Sequence, residues 1–294
     1  LDLNTLYGII PPTVTPFDQN EELDEACLRR EIKYLFNAGV HGVSFGGSTG
    51  EGALLTNEEL TRGIRIVQEE NKQNLPVLCG IIRNSTRDAI KTGLAAKEAG
   101  ADVLMVTPTF YHGTSDEGNY RFFSDLSEQV GLPIIIYNVI KNNPILPKMM
   151  ERLAQIENVV GIKQSVGGIH SLTDMIGTCG EKTLVFGAQD DLMYISYELG
   201  AVGAISAILT LFPEMCVKQW HAVQKKDYAM AMDIHYRMLP VWRTIEGGAF
   251  PGKIKAALKL IGRDVGVARQ PIQPPTENEW NELSHALKTG HFLG

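Results

Sequence analysis

Short apolar runs alternate with longer amphipathic stretches through the first two thirds of this 294-residue chain. The runs are YGIIPPTV from residue 7, GVSFGG from 42, PVLCGI from 76, DVLMVTP from 102, PIIIYN from 133, VVGIKQ from 159, TLVFGA from 183 and VGAISA from 202. Apolar, β-branched runs bounded by Gly or Pro read as strands covered on both faces. Between them lie segments such as DEACLRREIKYLFNAG, TNEELTRGIRIVQEEN and STRDAIKTGLAAKEAG, whose apolar residues recur at three- and four-residue steps. Many of these begin after Ser, Thr, Asn or Asp and end in Gly, the expected helix start and stop signals.

Eight strand-like runs, each followed by a helical segment, predict a parallel sheet, because parallel strands need crossover helices. Eight such units point to an α/β fold of the closed (β/α)₈ TIM-barrel type. A doubly wound open sheet carries a glycine-rich loop after its first strand, and the first run here ends in PPTVTPF instead. Beyond about residue 210 the alternation stops, and 213–226, 226–246, 251–262 and 276–289 read as helices. We expect a barrel over 1–210 and a helical extension over 211–294 packed upon it. PIQPPTENEW, from 271, reads as a proline-rich loop before the last helix.

In such barrels function collects at the C-terminal strand ends. Strand two ends in GGSTGE (46–51), strand four in TPTFYHG, strand five in Tyr137–Asn138, strand six in Lys163, strand seven in GAQDD (187–191) and strand eight in Ser206. Hydroxyls, a phenol and an amine therefore gather at one mouth. A lysine closing an apolar strand is either a snorkelling side chain that reaches solvent or a neutral amine wanted for chemistry. A neutral amine condenses with a ketone to a protonated imine, which labilises the neighbouring carbon toward loss of a proton or a C–C bond. Tyr137, one strand away, can move protons, with Ser48 or Thr49 to receive them. The glycines of GGSTGE let backbone N–H groups approach a carboxylate.

Composition narrows the partners. The formal net charge is −7 and no basic block interrupts the chain, which argues against nucleic acid and anionic membranes. No apolar run approaches the ~18 residues of a membrane span, and LDLNTLYGII lacks the features of a signal peptide. We expect a cytoplasmic protein. Cys27, Cys79, Cys179 and Cys216 are far apart and show no metal-ligand spacing, so buried free thiols and no metal are expected.

GGSTGE, the YN pair at 137–138 and GIKQ at 161–164 follow one another in an order that resembles the family of dihydrodipicolinate synthase and N-acetylneuraminate lyase, the class I pyruvate aldolases. The resemblance runs from TPF at 15–17 through the C-terminal helices. It implies a (β/α)₈ barrel with a helical extension, a homotetramer built as a dimer of dimers, and no metal or organic cofactor in catalysis. It matches Lys163 to the Schiff-base lysine and Tyr137 to the proton-passing tyrosine. Ser48 and Thr49, with Gly47 beside them, match the residues holding the keto-acid carboxylate. Tyr111 matches the tyrosine that in the synthases reaches into the neighbouring subunit's site, and Ile205 and Ser206 match positions beside the imine.

Departures from that pattern bear on the second substrate. Synthases carry an arginine a few residues after the YN pair, and YNVIKNNP puts Asn142 there with Lys141 beside it. A lysine lacks the planar fork that grips a carboxylate in two places. A serine first in GGSTGE, and Ser165 in GIKQS, resemble the neuraminate lyases and sugar-acid aldolases. Asp190 and Asp191 either receive substrate hydroxyls or cap the seventh helix. His112 and His170 read as solvated loop residues. The expectation is thus a Schiff-base lyase or aldolase acting on pyruvate or a 2-keto-3-deoxy sugar acid, with aspartate semialdehyde a poor partner. The other readings are a 4-hydroxy-tetrahydrodipicolinate synthase (pyruvate plus aspartate semialdehyde), a dehydratase or deaminase using the same imine, and a non-catalytic keto-acid-binding protein. The last needs no nucleophilic amine, so the set Lys163, Tyr137 and Ser48 argues against it.

Overall fold

A computed structural model describes residues 2–293. Eight strands alternate with helices: β1 (Gly8–Ile9), α1 (Glu25–Asn37), β2 (Val43–Phe45), α2 (Asn57–Glu70), β3 (Val77–Ile81), α3 (Thr86–Glu98), β4 (Val103–Val106) and α4 (Asp116–Val130). The series continues with β5 (Ile134–Asn138), α5 (Pro147–Leu153), β6 (Val159–Gln164), α6 (Gly168–Cys179), β7 (Leu184–Gly187), α7 (Met193–Glu198), β8 (Gly203–Ala204) and α8 (Ile208–Leu211). Four further helices, α9 (Pro213–Gln224), α10 (Tyr228–Ile245), α11 (Phe250–Leu260) and α12 (Glu277–Thr289), form the extension. Several helices begin on side-chain caps of the expected residue types. Asp24, Ser85 and Ser115 accept first-turn N–H groups, and Thr56 and Thr276 form capping boxes with Glu59 and Glu279. Pro147 and Pro213 start their helices, where a missing N–H costs nothing.

All strand pairs are parallel, in the order β1-β8-β7-β6-β5-β4-β3-β2. The run YGIIPPTV yields a strand of only two residues, because Pro11 and Pro12 have no N–H to donate. The chain still closes the ring there, with Ser44 N–H donating to Pro11 O and Thr13 N–H to Ser44 O.

Strand parity sorts the apolar side chains into two layers. Ile10, Leu78, Val103, Met105, Ile135, Phe186 and Ile205 fill the barrel interior. Ile134, Ile136, Leu104, Val106 and Val185 pack outward beneath the helices. β6 breaks strict alternation. Val159 pairs with Ile134, but Ile135 pairs with Gly161, so β6 carries one extra residue. Val159 and Ile162 both face outward, Val160 packs on the interior, and Lys163 pairs with the inward Tyr137. Counted from Val159 by strict alternation, Lys163 would lie on the outer face with it.

The extension is fastened to the barrel by ion pairs of low exposure, Arg263 with Glu31 and Arg269 with Glu59. Removing one partner of the less exposed pair, Arg263 and Glu31, leaves a largely desolvated charge without its counter-ion. All four cysteines are free and buried. Among the described residues no helix is long and apolar enough to cross a membrane. No group of three or more His, Cys, Asp or Glu stands ready for a metal ion among them.

Backbone crowding is tightest where β2 runs into its loop. A Cβ on Gly52 would lie 1.6 Å from Gly46 O, and one on Gly80 would lie 2.3 Å from the same oxygen. Backbone atoms cannot move aside as a side-chain tip can. Gly52→Ala is therefore expected to destabilise the protein by at least the ~1–3 kcal/mol of an overpacked core. A urea midpoint equal to the wild type would show that the loop is looser than described.

Candidate active site

Lys163 is 4% exposed, and its Nζ lies 3.8 Å from the centroid of the Tyr137 ring. The inward parity after the extra residue in β6 puts the two side chains next to each other on neighbouring strands. A desolvated cation–π contact is worth about 2 kcal/mol, whereas burying an unpaired ammonium costs several. Stability alone does not account for an amine at this position. The Tyr137 hydroxyl lies 3.0 Å from Ser48 Oγ, so amine, phenol and hydroxyl are linked by successive contacts.

The loop carrying Ser48 is a tight turn. Gly47 O accepts from the N–H groups of Gly50 and Gly52, and Ser48 O accepts from Glu51 N–H. Thr15 Oγ1 donates to Gly50 O at 2.6 Å. The N–H groups of Ser48 and Thr49 make no hydrogen bond among the described residues, and they sit beside buried Gly47 and Thr49. Two free donors with a serine hydroxyl make an anion-binding concavity.

On the other side, Ile205 is fully buried in the interior layer. Ser206 is buried, with Oγ 3.2 Å from Met193 Sδ. Asp190 Oδ1 accepts from Ile208 N–H at 2.6 Å. Burial pushes the Asp190 carboxyl up to about 7, against the opposing pull of the Ile208 N–H, Ser206 and the charge of Lys163. Neither acid caps α7, whose first turn has no side-chain cap. Asp190 instead serves the chain entering α8, and Asp191 pairs with Arg243 of the extension at 2.7 Å.

Ser165 lines a cavity of about 630 Å³ with Lys141, Gln164 and Gln189, and Gln189 Nε2 donates to Ser165 O at 2.9 Å. Asn142 is exposed and donates to Phe110 O, tying its loop to the loop after β4. A second cavity, about 440 Å³ and almost wholly apolar, touches Ser48, Leu54, Thr107, Phe110 and Ile272. Both cavities reach Val139.

Tyr111 is not brought to this cluster within one chain. It is 76% exposed, packs its ring on His112, and takes its backbone N–H to Asn84 Oδ1. Phe110, one residue earlier, lines the apolar cavity instead. His112 is exposed in its loop, and His170 is exposed but lies in the first turn of α6 rather than in a loop.

Four residues of this mouth carried no role in the sequence reading. Asn138 is fully buried, donates to Ile145 O and Gln164 Oε1, and accepts from Ile145 N–H. Gln164 donates onward to Val166 O. This network fixes the 139–146 loop against β5 and β6. The signal was the polar residue directly after Tyr137 and after Lys163: alternation turns each away from the barrel axis, where a buried amide needs partners. Thr107 Oγ1 is buried, faces the apolar cavity and has no hydrogen-bond partner among the described residues. Gln189 had no signal beyond its place at a strand end.

The model of the dihydrodipicolinate synthetase family matches residues 5–290. A 4-hydroxy-tetrahydrodipicolinate synthase of Methanopyrus kandleri is 32% identical over 287 residues, covering 96% of each chain. One of Syntrophus aciditrophicus is 33% identical over 289 residues, covering 98% of this chain and 99% of its own. Among solved structures, a prophage protein of the dihydrodipicolinic acid synthase family from E. coli K12, in complex with pyruvate, superposes with a TM-score of 0.92 at 29% identity, covering 98% and 99% of the two chains. A chloride-inhibited dihydrodipicolinate synthase from Acinetobacter baumannii, also with pyruvate, gives 0.93 at 28% identity, covering 98% and 100%.

The raised Asp190 carboxyl makes a prediction about pH. Between about 4 and 7 the folded state keeps a proton that the unfolded state has released, so this group's contribution to stability falls as pH rises through that window. Asp190→Asn keeps an acceptor for Ile208 N–H and cannot titrate. The variant should therefore gain several degrees of Tm on the wild type between pH 5 and pH 8. A Tm difference that stays flat with pH would mean that the carboxyl ionises in the ordinary range.

Proposed function

The chain belongs to the dihydrodipicolinate synthetase family, and on that premise we propose that it is a lysine Schiff-base enzyme making or breaking a C–C bond next to pyruvate or a related 2-keto acid. One observation carries the reading: a buried amine on the ring of a phenol that hydrogen-bonds a serine, beside two free backbone donors. The Lys163 amine adds to the keto carbon, the carbinolamine loses water, and a protonated imine forms. Tyr137, through Ser48, supplies and removes the protons of those steps. The keto-acid carboxylate lies on the N–H groups of Ser48 and Thr49. Loss of a proton from the methyl carbon gives an enamine that adds to an aldehyde carbon, and water then releases the product and regenerates the amine. Cleavage is the same path reversed.

The relatives' names favour aspartate semialdehyde as the aldehyde, that is, a 4-hydroxy-tetrahydrodipicolinate synthase, over the sugar-acid reading of the sequence. Lys141, on the wall of the larger cavity, is then the cation for the semialdehyde carboxylate. The second reading, a hydroxylated aldehyde or 2-keto-3-deoxy sugar acid, is supported by Asn142, which stands where synthases carry arginine and spends its amide on Phe110 O. In that reading Ser165, Ser206 and Asp190 receive the hydroxyls.

We further propose that the protein assembles as a homotetramer, a dimer of dimers, in which Tyr111 of one subunit completes the site of another. Exposure of Tyr111, and an apolar cavity that holds one unpartnered hydroxyl beside Ser48, fit a phenol arriving from outside the chain.

Borohydride should trap pyruvate on Lys163, as read by peptide mass mapping. An adduct elsewhere, or none, would sink the imine. Tyr137→Phe should lose on the order of 10²–10⁴-fold in kcat with little change in KM, because the phenol acts on protons in flight. An equal KM rise at unchanged kcat would make Tyr137 a binding residue only.

The acceptor is decided by kcat/KM for pyruvate with aspartate semialdehyde against hydroxylated aldehydes. We expect the semialdehyde to win, and Lys141→Ala to lower its kcat/KM by about one to two powers of ten, the worth of a charge-assisted hydrogen bond of roughly 1.5–3 kcal/mol. A tenfold preference for a hydroxylated aldehyde would transfer the assignment to the sugar-acid reading.

A further inference from the structure

GGSTGE ends in a residue that the chemistry above leaves unused. Glu51 holds φ 55° and ψ 32°, the left-handed region that a non-glycine residue keeps only where its surroundings over-determine it. Both carboxylate oxygens are engaged by the C-terminal extension. Oε1 lies 2.7 Å from Lys255 Nζ, with the two side chains 0% and 2% exposed, and Oε2 accepts from Arg269 N–H at 2.8 Å. Lys255 also donates to Val267 O and lies 4.5 Å from the centroid of the Phe17 ring. The Arg269 guanidinium lies 4.1 Å from the same centroid.

We infer that Glu51 is a positioning residue for the keto-acid site, and that Lys255, from α11, is the group that holds it in place. The inference rests on the reading of Ser48 and Thr49 as the carboxylate holders. The path is short and physical. Glu51 N–H donates to Ser48 O at 3.1 Å, which closes the turn that leaves the Ser48 and Thr49 N–H groups free. A left-handed residue at the end of that turn fixes where those N–H groups point. Its carboxylate is fixed in turn by a lysine 204 positions away in sequence, whose amine touches Glu51, Val267 O and the Phe17 ring. Among these contacts, Glu51 is the one that belongs to the turn carrying Ser48 and Thr49. Burial pushes the Lys255 amine down and the Glu51 charge pulls it back up, so each group makes the other tolerable in a dry place. A fastening between barrel and extension needs no particular backbone conformation at residue 51. The strained φ and the hydrogen bond to Ser48 O are what point to the site.

The test measures the pyruvate concentration that half-saturates borohydride trapping, on the whole protein, so that no aldehyde need be known. Glu51→Gln should raise it about tenfold, the scale of one lost charge-assisted hydrogen bond, and Lys255→Met should raise it similarly. The double variant should be no worse than the poorer single one, since both act on one linkage. The trapping rate at saturating pyruvate should change far less than the half-saturating concentration. Melting temperatures are read alongside. Variants that melt earlier but trap pyruvate at the wild-type concentration would make the pair a structural fastening only and overturn the inference. Where either variant fails to fold, Glu51→Asp keeps the charge but shortens the reach. It should still raise the half-saturating concentration, and a folded Glu51→Asp with unchanged trapping overturns the inference as well. Wild-type protein that gives no adduct at Lys163 at all would instead bring down the functional reading on which this one rests.

Discussion

One residue too many in β6 governs the mouth of this barrel. VVGIKQ pairs with PIIIYN through a shift between Ile134 and Ile135, and that shift sets the face of everything after it. Because side chains alternate, an extra residue moves each later side chain to the opposite face from the one that Val159 predicts. Lys163 therefore points into the barrel and meets Tyr137, while Ile162 goes under the helices. The same parity sends Asn138 and Gln164 away from the axis, where their amides bond each other and hold the loop that carries Lys141. The Lys163–Tyr137 contact and the amide network of Asn138 and Gln164 thus occupy alternate residues of two short strands.

Around that pair, rigidity comes from backbone as much as from side chains. Gly46, Gly52 and Gly80 crowd so closely that their atoms exclude a Cβ, which leaves the GGSTGE turn little freedom. The C-terminal extension reaches the same turn from outside. It places Lys255 and the Arg269 N–H on Glu51, and Arg269 also engages Glu59 and Leu54 O. Catalytic geometry generally has to hold to about half an ångström, and a loop alone rarely achieves this. Here the loop is gripped between strand crowding on one side and a buried ion pair on the other.

The two cavities differ in the chemistry of their walls. One has a lysine, glutamines and serines on its wall, and the other is apolar with a single unsatisfied hydroxyl. They meet at Val139, the residue directly after the YN pair. The loop between β5 and α5 therefore lines both cavities. Asn142 and Asn143 both spend side-chain amides on the loop after β4, and that binds the two walls into one unit.

The order of elements was legible because it depends only on local signals. Apolar runs, helical periodicity and capping residues place the eight strands and the four helices of the extension, and position at a strand end picks out Ser48, Tyr137 and Lys163. The helix α8 was missed because four residues are too few to show a period. Asp190 and Asp191 read either as receivers of substrate hydroxyls or as caps of the seventh helix, and the structure pairs Asp190 with Ile208 N–H and Asp191 with Arg243, each a partner distant in sequence. What the sequence could not determine is which face a side chain takes once a strand departs from alternation. VVGIKQ is apolar on both faces until its last two residues, so no polar residue marks where the extra one enters. Nor could it show Glu51 meeting Lys255, since two charges far apart in the chain meet only when the extension folds back on the barrel. Local patterns are set by neighbours in the chain and can be read there, whereas parity across a bulge and pairing across the fold exist only in three dimensions.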